Sequence, residues 1–419
     1  VRRTTALAAL LLLTTLLLPG PAGAAACGRT AAAKAGRWYV ATPPLPAHAD
    51  LHQDVHGDVR RLRAVAVDPA DPRVVLATDG ERVQRSADGG CTWREVWAIP
   101  LDAGPGEPSR VLDEITSLDV GPHGRTLLAV EPTGWGPTVG GVTYLYRSPD
   151  GRTGWTSVGD PATLATVYDP TYGGSAPVLH TGAGMSYLAF VSSAGSVAYL
   201  RSKDGKTWER RTPPASPTDP VAIDGFAVSP WNADELWEWG GTSSPGRATS
   251  LTGLRHSTDG AKTWTSVDPW PFFGANTPTW RSIDVAWPRR GAPARLLALG
   301  ATRDPTTTEG PPTLSWSGDG GRTFSQLLPP DRTSVLNAAV THTATGDALI
   351  LTASGAAYLV PYRGRVPRAS DWRTLPALPV KPDSEWTGMG YDRARASATA
   401  PGVVVLPSWT KVQLLTVGR

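Results

Sequence analysis

Cysteine is nearly absent: the 419 residues hold two, Cys27 and Cys91. That excludes a disulfide-stapled scaffold and any cysteine-rich zinc module. Charge is sparse as well, at 18% of residues with a formal net charge of +3, and Arg2 and Arg3 fall in a segment expected to be removed. No basic stripe is visible, so no nucleic-acid partner is expected. Long apolar runs are confined to 6–18, which is short against the roughly 20 residues a bilayer requires. The chain is therefore not expected to span a membrane. Amphipathic helical periodicity is missing, as are the Gly-x-Ser-x-Gly, His-Glu-x-x-His and P-loop strings of common enzyme classes. No cofactor is implied. What the chain has in quantity is 45 Gly, 40 Pro and 17 Trp, over a hydrophobic content of 40% that is sufficient for a core. Gly plus Pro stays below the roughly 25–30% of low-complexity chains.

The first 26 residues read as a signal peptide: a basic start, an apolar run, then Pro19, Gly20 and Pro21, and A-x-A-like cleavage sites ending at Ala24 and Ala26. A secreted or extracytoplasmic protein is expected. Cys27 follows three alanines, a place where lipoprotein anchoring occurs, although Ala24 fits poorly where a bulky aliphatic residue is wanted. The alternative is a disulfide between Cys27 and Cys91.

One phrase recurs. Ser86, Asp88, Gly90 and Trp93 are echoed by Ser148, Asp150 and Trp155, by Ser202, Asp204 and Trp208, by Ser257, Asp259 and Trp264, and by Ser317, Asp319 and Phe324. The serines lie 62, 54, 55 and 60 residues apart, a period that signals internal repetition. The chemistry is that of a hairpin turn. Asp and Ser side chains bond backbone N–H groups, Gly supplies positive φ, Thr suits the returning strand, and the aromatic can pack back over it. The phrase S-x-D-x-G-x-T-W resembles the Asp-box, or BNR repeat. That repeat is found in sialidases, xyloglucanase-type glycosidases, sortilin-type receptors and photosystem assembly factors of β-propeller fold. The resemblance implies a fold more than a function, because those relatives do different things.

A proline follows each aromatic by several residues, and the same cadence appears at Trp372 and at Trp38, making seven repeats. The C-terminal stretch has strand patterns but no aromatic after them, so Trp38 is expected to supply its missing outer strand. Short strands with dense turn signals make the chain all-β. Four strands per repeat in a seven-fold ring make a seven-bladed β-propeller with Asp-box hairpins. The expected organisation is a signal peptide at 1–26, an N-terminal arm at 27–58 that includes the closing strand, and the propeller at 59–419.

Two ends of such a ring differ. Turns at the Asp-box end are short, whereas connections at the other end are long, and long loops are commonly functional. They carry Trp135, Tyr168, Tyr172, Trp270, Phe272, Phe273 and Trp280, which are candidate ligand contacts; the alternative for each is loop self-packing. The row His52, Asp54, His56 and Asp58 is a candidate metal site, against a plain solvated lead-in. Sialidase chemistry needs an arginine triad and a Tyr–Glu pair. The Arg-Ile-Pro signature of that family is absent, and no catalytic residues are assigned. The expected function is an exported, monomeric ligand-binding module for carbohydrate or an extracellular protein or glycan. A glycoside hydrolase of the sialidase-like superfamily and an envelope assembly factor are the alternatives.

Overall fold

The computed structural model describes residues 38–44, 62, 64–100, 113–121, 124–132, 144–158, 178–191, 197–211, 222–242, 250–268, 279–301, 312–333, 335–340, 347–352, 354–361, 367–376, 395–396, 403–408 and 411–416. The strands among them form seven four-stranded antiparallel sheets. The first contains Ala64–Val67, Val75–Thr78, Arg82–Ser86 and Arg94–Ala98, and the second Asp113–Val120, Thr126–Pro132, Tyr144–Ser148 and Thr156–Val158. The third is Val178–Gly182, Met185–Val191, Val197–Ser202 and Glu209–Arg211; the fourth is Ala222–Val228, Leu236–Thr242, Ser250–Ser257 and Thr265–Val267. The fifth is Thr279–Ala286, Arg295–Ala301, Pro312–Ser317 and Ser325–Leu327; the sixth is Val335–Val340, Ala348–Thr352, Ala357–Val360 and Arg373–Leu375. The seventh joins the two ends of the chain, in the order Arg395–Ala396, Val403–Ser408, Lys411–Thr416 and Trp38–Ala41. Trp38 stands opposite Leu415 and Ala41 opposite Val412. The described residues contain no α-helix, a 3-10 turn at Ala369–Asp371, and no helix long and apolar enough to cross a membrane.

The sequence of each strand follows its place in the sheet. Second strands are covered on both faces: Val75–Thr78 and Ala348–Thr352, apolar but for a terminal Thr, are buried at every position. Fourth strands are outer edges, and that of the third sheet carries Glu209, Arg210 and Arg211, charges that discourage pairing with other chains.

The sheets touch in a closed order. First strands meet from the first sheet to the fourth; Ser250–Ser257 meets Thr279–Ala286; and first strands meet again between the fifth and sixth sheets. Val335–Val340 then touches Arg395–Ala396, and Val403–Ser408 touches Ala64–Val67. This is a β-propeller, with the first strand of each sheet innermost.

The core lies between sheets rather than within them. Leu127, Ala129, Leu145 and Val158 of the second sheet pack on Leu179, Leu188, Ala198 and Leu200 of the third, and Trp208 covers the cluster. Trp264 does the same between the third and fourth sheets, Phe324 between the fourth and fifth, and Trp372 between the fifth and sixth. Trp155 serves the first and second. Each aromatic therefore seats in the core shared with the preceding sheet, not merely over its own hairpin.

One interface contains an ion pair. Arg255 Nη2 lies 2.6 Å from Glu238 Oε1, with side-chain exposures of 4% and 0%. Arg255 Nε also reaches Oε1 at 3.2 Å, Nη2 reaches the Tyr199 hydroxyl at 3.4 Å, and the guanidinium sits 5.2 Å over the Trp264 ring. Glu238 Oε2 has no hydrogen-bond partner. Burial pushes the Glu238 carboxyl up, and the adjacent Arg255 opposes that shift.

Candidate functional site

Strand polarity sorts the connections into two ends. Turns from first to second strands and from third to fourth lie at one end. Connections from second to third strands, and from one sheet to the next, lie at the other.

The first end is a ring of self-saturated hairpins. In all five, the Ser Oγ donates to Asp Oδ1 at 2.7–3.2 Å, and the following Thr N–H donates to the same oxygen at 2.8–3.0 Å. The hairpins come in two lengths. Where Thr stands four residues after Asp (Thr92, Thr263, Thr323), its hydroxyl donates to Asp Oδ2 at 2.7, 2.6 and 2.6 Å. Where it stands three after (Thr153, Thr207), the distance opens to 3.4 and 3.5 Å. The longer form needs a left-handed residue, held by Gly90 at φ 90°, Gly321 at 76° and Ala261 at 68°, so the Ser257 hairpin keeps the full geometry without its glycine. In the sixth sheet Asp371 instead accepts from the Arg368 N–H at 2.8 Å.

These bonds set the acid response. Backbone donors at Thr207 and Lys206 hold the Asp204 carboxyl at about 2. Partial burial raises Asp259, but the Thr263 hydroxyl and backbone donors outweigh it, again to about 2. Asp88, Asp150 and Asp319 are also raised by burial and then brought below the ordinary value by their turn donors. A depressed folded value stabilises the fold above the unfolded pKa of about 3.9 and loses that contribution as pH falls toward 2. Urea midpoints should therefore drop between about pH 4 and pH 2, and Asp204→Asn with Asp259→Asn should flatten the drop. A wild-type midpoint constant across that window would contradict this.

The opposite end carries the long connections 101–112, 133–143, 159–177, 243–249, 269–278 and 302–311, which lie outside the described residues. Trp135, Tyr168, Tyr172, Trp270, Phe272 and Phe273 all fall within them. The described strands on either side of each connection stop at this end of the ring. Trp280 is placed differently from its expected loop position. It lies within the first strand of the fifth sheet, opposite Gly300, because that strand starts at Thr279. His52, Asp54, His56 and Asp58 also lie outside the described residues, between Trp38–Ala41 and Ala64–Val67 in the sequence. Among the described residues no group of three metal-ligating side chains occurs. Cys91 is disulfide-bonded, while its expected partner Cys27 lies outside the described residues.

Where this end is described, short turns are tied to the frame. Asp79 Oδ1 accepts from the Glu81 and Arg82 N–H groups at 2.9 and 2.8 Å. Ser354 and Thr352 donate to Asp331 Oδ2 at 2.8 and 3.2 Å, pinning the link between the fifth and sixth sheets.

A feature missed in the sequence lies beside these turns. Four innermost strands are bulged at one corresponding place, between Ile115 and Ser117, Ile223 and Gly225, Trp280 and Ser282, and Val335 and Asn337. The extra residues are Thr116, Asp224, Arg281 and Leu336, all near the long-connection end. Ser117, next to the first bulge, accepts the Leu179 N–H of the neighbouring sheet at 3.1 Å. The signal available was a β-branched or aromatic residue followed two later by Ser, Gly or Asn.

No family model matches the chain, and no curated protein matches it. Among solved structures, YCF48 bound to a D1 peptide is similar at TM-score 0.52 and 12% identity, over 91% of this chain and 97% of that one. An ancestral GH74 enzyme is similar at TM-score 0.53 and 16% identity over 89% of this chain, which spans 45% of that enzyme's length. The Pan2 WD40 domain of Neurospora crassa is similar at TM-score 0.52 and 8% identity, over 92% and 97% of the two chains. At these identities the likeness is one of β-propeller fold.

Proposed function

We propose that the chain is an exported binding propeller that takes a carbohydrate, or an extracellular protein or glycan, at the end carrying the long connections. The observation that carries this reading is the asymmetry of the two ends. One is closed by five hairpins whose donors and acceptors satisfy each other, leaving little to offer a ligand. The other is the end at which the described strands flanking the long connections stop, and those connections contain Trp135, Tyr168, Tyr172, Trp270, Phe272 and Phe273 in the sequence. Aromatic residues gathered at one end of a rigid frame suit stacking on sugar rings or anchoring in a partner's apolar patch. The hairpins are read as Asp-boxes with a structural role, Cys27 and Cys91 as a tether of the arm, and the His52–Asp58 row as a metal site. The fold likeness to a GH74 enzyme and to a peptide-binding propeller is compatible with either ligand class, and no catalytic step is assigned.

The test is a glycan-array screen of the mature protein, followed by calorimetric titration of two variants. Trp270→Ala should weaken binding by roughly 2 kcal/mol with little change in melting, as expected for a hot-spot anchor. Asp88→Ala should leave affinity alone and lower stability by about 1–2 kcal/mol, the range for losing a side-chain acceptor of turn N–H groups. The opposite pattern in folded protein would place function at the hairpin end.

A further inference from the structure

We infer that Trp231, with Arg289, Arg290 and Lys262 on the turns around it, forms a contact surface for an acidic polysaccharide at the hairpin end, separate from the binding end proposed above. The hairpins themselves are saturated, but the turn beside one of them carries an unused group. Residues 229–235 join the first two strands of the fourth sheet, and Trp231 stands on this turn 47% exposed. Among the described residues, Leu328 is the only other large apolar side chain so exposed. The turn has a twin that shows what it needs. In residues 68–74 of the first sheet the Asp68 N–H donates to the Val74 carbonyl at 3.0 Å; here the Ser229 N–H donates to the Glu235 carbonyl at 2.9 Å. The Ala70 N–H donates to Asp68 Oδ1 at 2.7 Å, where the Trp231 N–H donates to Ser229 Oγ at 3.3 Å. The Arg73 N–H donates to Asp71 Oδ1 at 3.1 Å, where the Asp234 N–H donates to Asn232 Oδ1 at 3.2 Å. In the twin an exposed alanine holds the place of Trp231, so building this turn does not require an indole. An exposed aromatic that the frame does not need, on a frame this ordered, is the arrangement of a binding anchor.

The turn is tied on both flanks. The Tyr187 hydroxyl donates to the Ala233 carbonyl at 2.9 Å, the Gly260 N–H to the Asp234 carbonyl at 3.0 Å, and Trp287 Nε1 to Glu235 Oε1 at 2.7 Å. That last bond joins it to the turn 287–294 of the fifth sheet, where Arg289 and Arg290 are exposed. Lys262 is exposed on the hairpin that Gly260 links to the turn. The carboxylates of this region are engaged. Asp234 lies 2.9 Å from Arg201 Nη1, Glu235 accepts from Trp287, and Asp259 accepts from its own hairpin. Arg289, Arg290 and Lys262 make no ion pair among the described residues. The surface therefore offers one stacking face flanked by uncompensated positive charge. A pyranose can lay its C–H face on the indole, and the carboxylate of a uronic acid then meets guanidinium forks that bind it bidentately. A protein partner would call for a wider apolar centre than one indole. Single-stranded nucleic acid is held by successive aromatic platforms rather than one.

The experiment is calorimetric titration of the purified chain with polygalacturonate and alginate oligomers, with methyl-esterified polygalacturonate, and with oligothymidylate and polyglutamate. An acidic oligomer should bind, and the esterified form about tenfold more weakly, because it has lost the charge. Trp231→Ala should weaken binding about tenfold or more and Trp231→Tyr by less, since the tyrosine keeps a stacking face. Arg289→Gln combined with Arg290→Gln should weaken it about tenfold and remove the preference for the free acid. All of these variants should melt as wild type, which separates a lost anchor from a lost fold; Ala70 occupies the same place in the twin turn. Trp270→Ala should bind the acidic oligomers unchanged. Binding kept within about twofold by Trp231→Ala, or lost in Trp270→Ala instead, would overturn the assignment of this surface. Equal affinity for the free and esterified forms would overturn the acidic class. Tighter binding of oligothymidylate or polyglutamate through Trp231 would replace the polysaccharide with a nucleic acid or an acidic protein. Failure of both acidic oligomers to bind would overturn the proposal outright.

Discussion

Replacing Glu238 with alanine should destabilise the fold by about 3–5 kcal/mol, because it removes the carboxylate 2.6 Å from Arg255 Nη2 in a dry interface. The Tyr199 hydroxyl at 3.4 Å and the Trp264 face at 5.2 Å carry no formal charge to replace that carboxylate. Glu238→Gln retains volume and an acceptor and should lose less. Glu238→Leu combined with Arg255→Met should recover most of the loss, since a buried pair exchanged for apolar residues of similar volume is often neutral or better. Urea denaturation of the four variants decides the matter. A single Glu238→Ala change that leaves the midpoint unmoved would mean that water reaches the pair.

Deleting Gly36–Pro44 should remove cooperative folding altogether. The seventh sheet takes its outer strand from Trp38–Ala41, paired residue by residue with Val412–Leu415. Without it, Lys411–Thr416 becomes an unpaired edge, and the two ends of the ring keep only the contact of Ala64–Val67 with Val403–Ser408 among the described strands. Thermal melts followed by circular dichroism should broaden or vanish, with association visible on size exclusion. A synthetic peptide spanning 36–44 should restore a sharp transition by adding the strand back in trans. A truncated protein that melts like its parent would show that the ring holds without this strand.

Much of this architecture was legible in the sequence, and the parts that were not share a cause. Repetition exposed the hairpins, because Ser, Asp, Gly and Thr are there for backbone reasons that any reader of turns can apply. The pairing of Trp38 with the C-terminal strands followed from one missing aromatic. Glu238 misleads, by contrast. Between Trp237 and Trp239 it reads as the solvent-facing member of an alternating strand, yet its exposure is 0%, because a second strand has no solvent face. Strand alternation reports two environments, and here both are interior. The bulges escaped because a register slip is an event between strands, whereas composition records one strand at a time. Trp280 was placed in a loop for the same reason: the strand it joins begins in a stretch of Thr, Pro and Asn that reads as a turn. The long connections are a different matter. Their residues were readable as aromatic-rich, and they lie outside the described residues.

The seating of each hairpin aromatic against the preceding sheet gives the molecule a direction in time. A chain made from its N-terminus can lay Trp155 on sheets already emerged, then Trp208, Trp264, Phe324 and Trp372 in turn, each finding its partner surface upstream. Nothing in that series waits for residues not yet synthesised. Trp93 alone follows a sheet whose other three strands are made last, and the only bond described for its indole is a local one, to the Gly90 carbonyl at 2.8 Å. The oldest hairpin on the ribosome is thus the one whose preceding sheet is completed last.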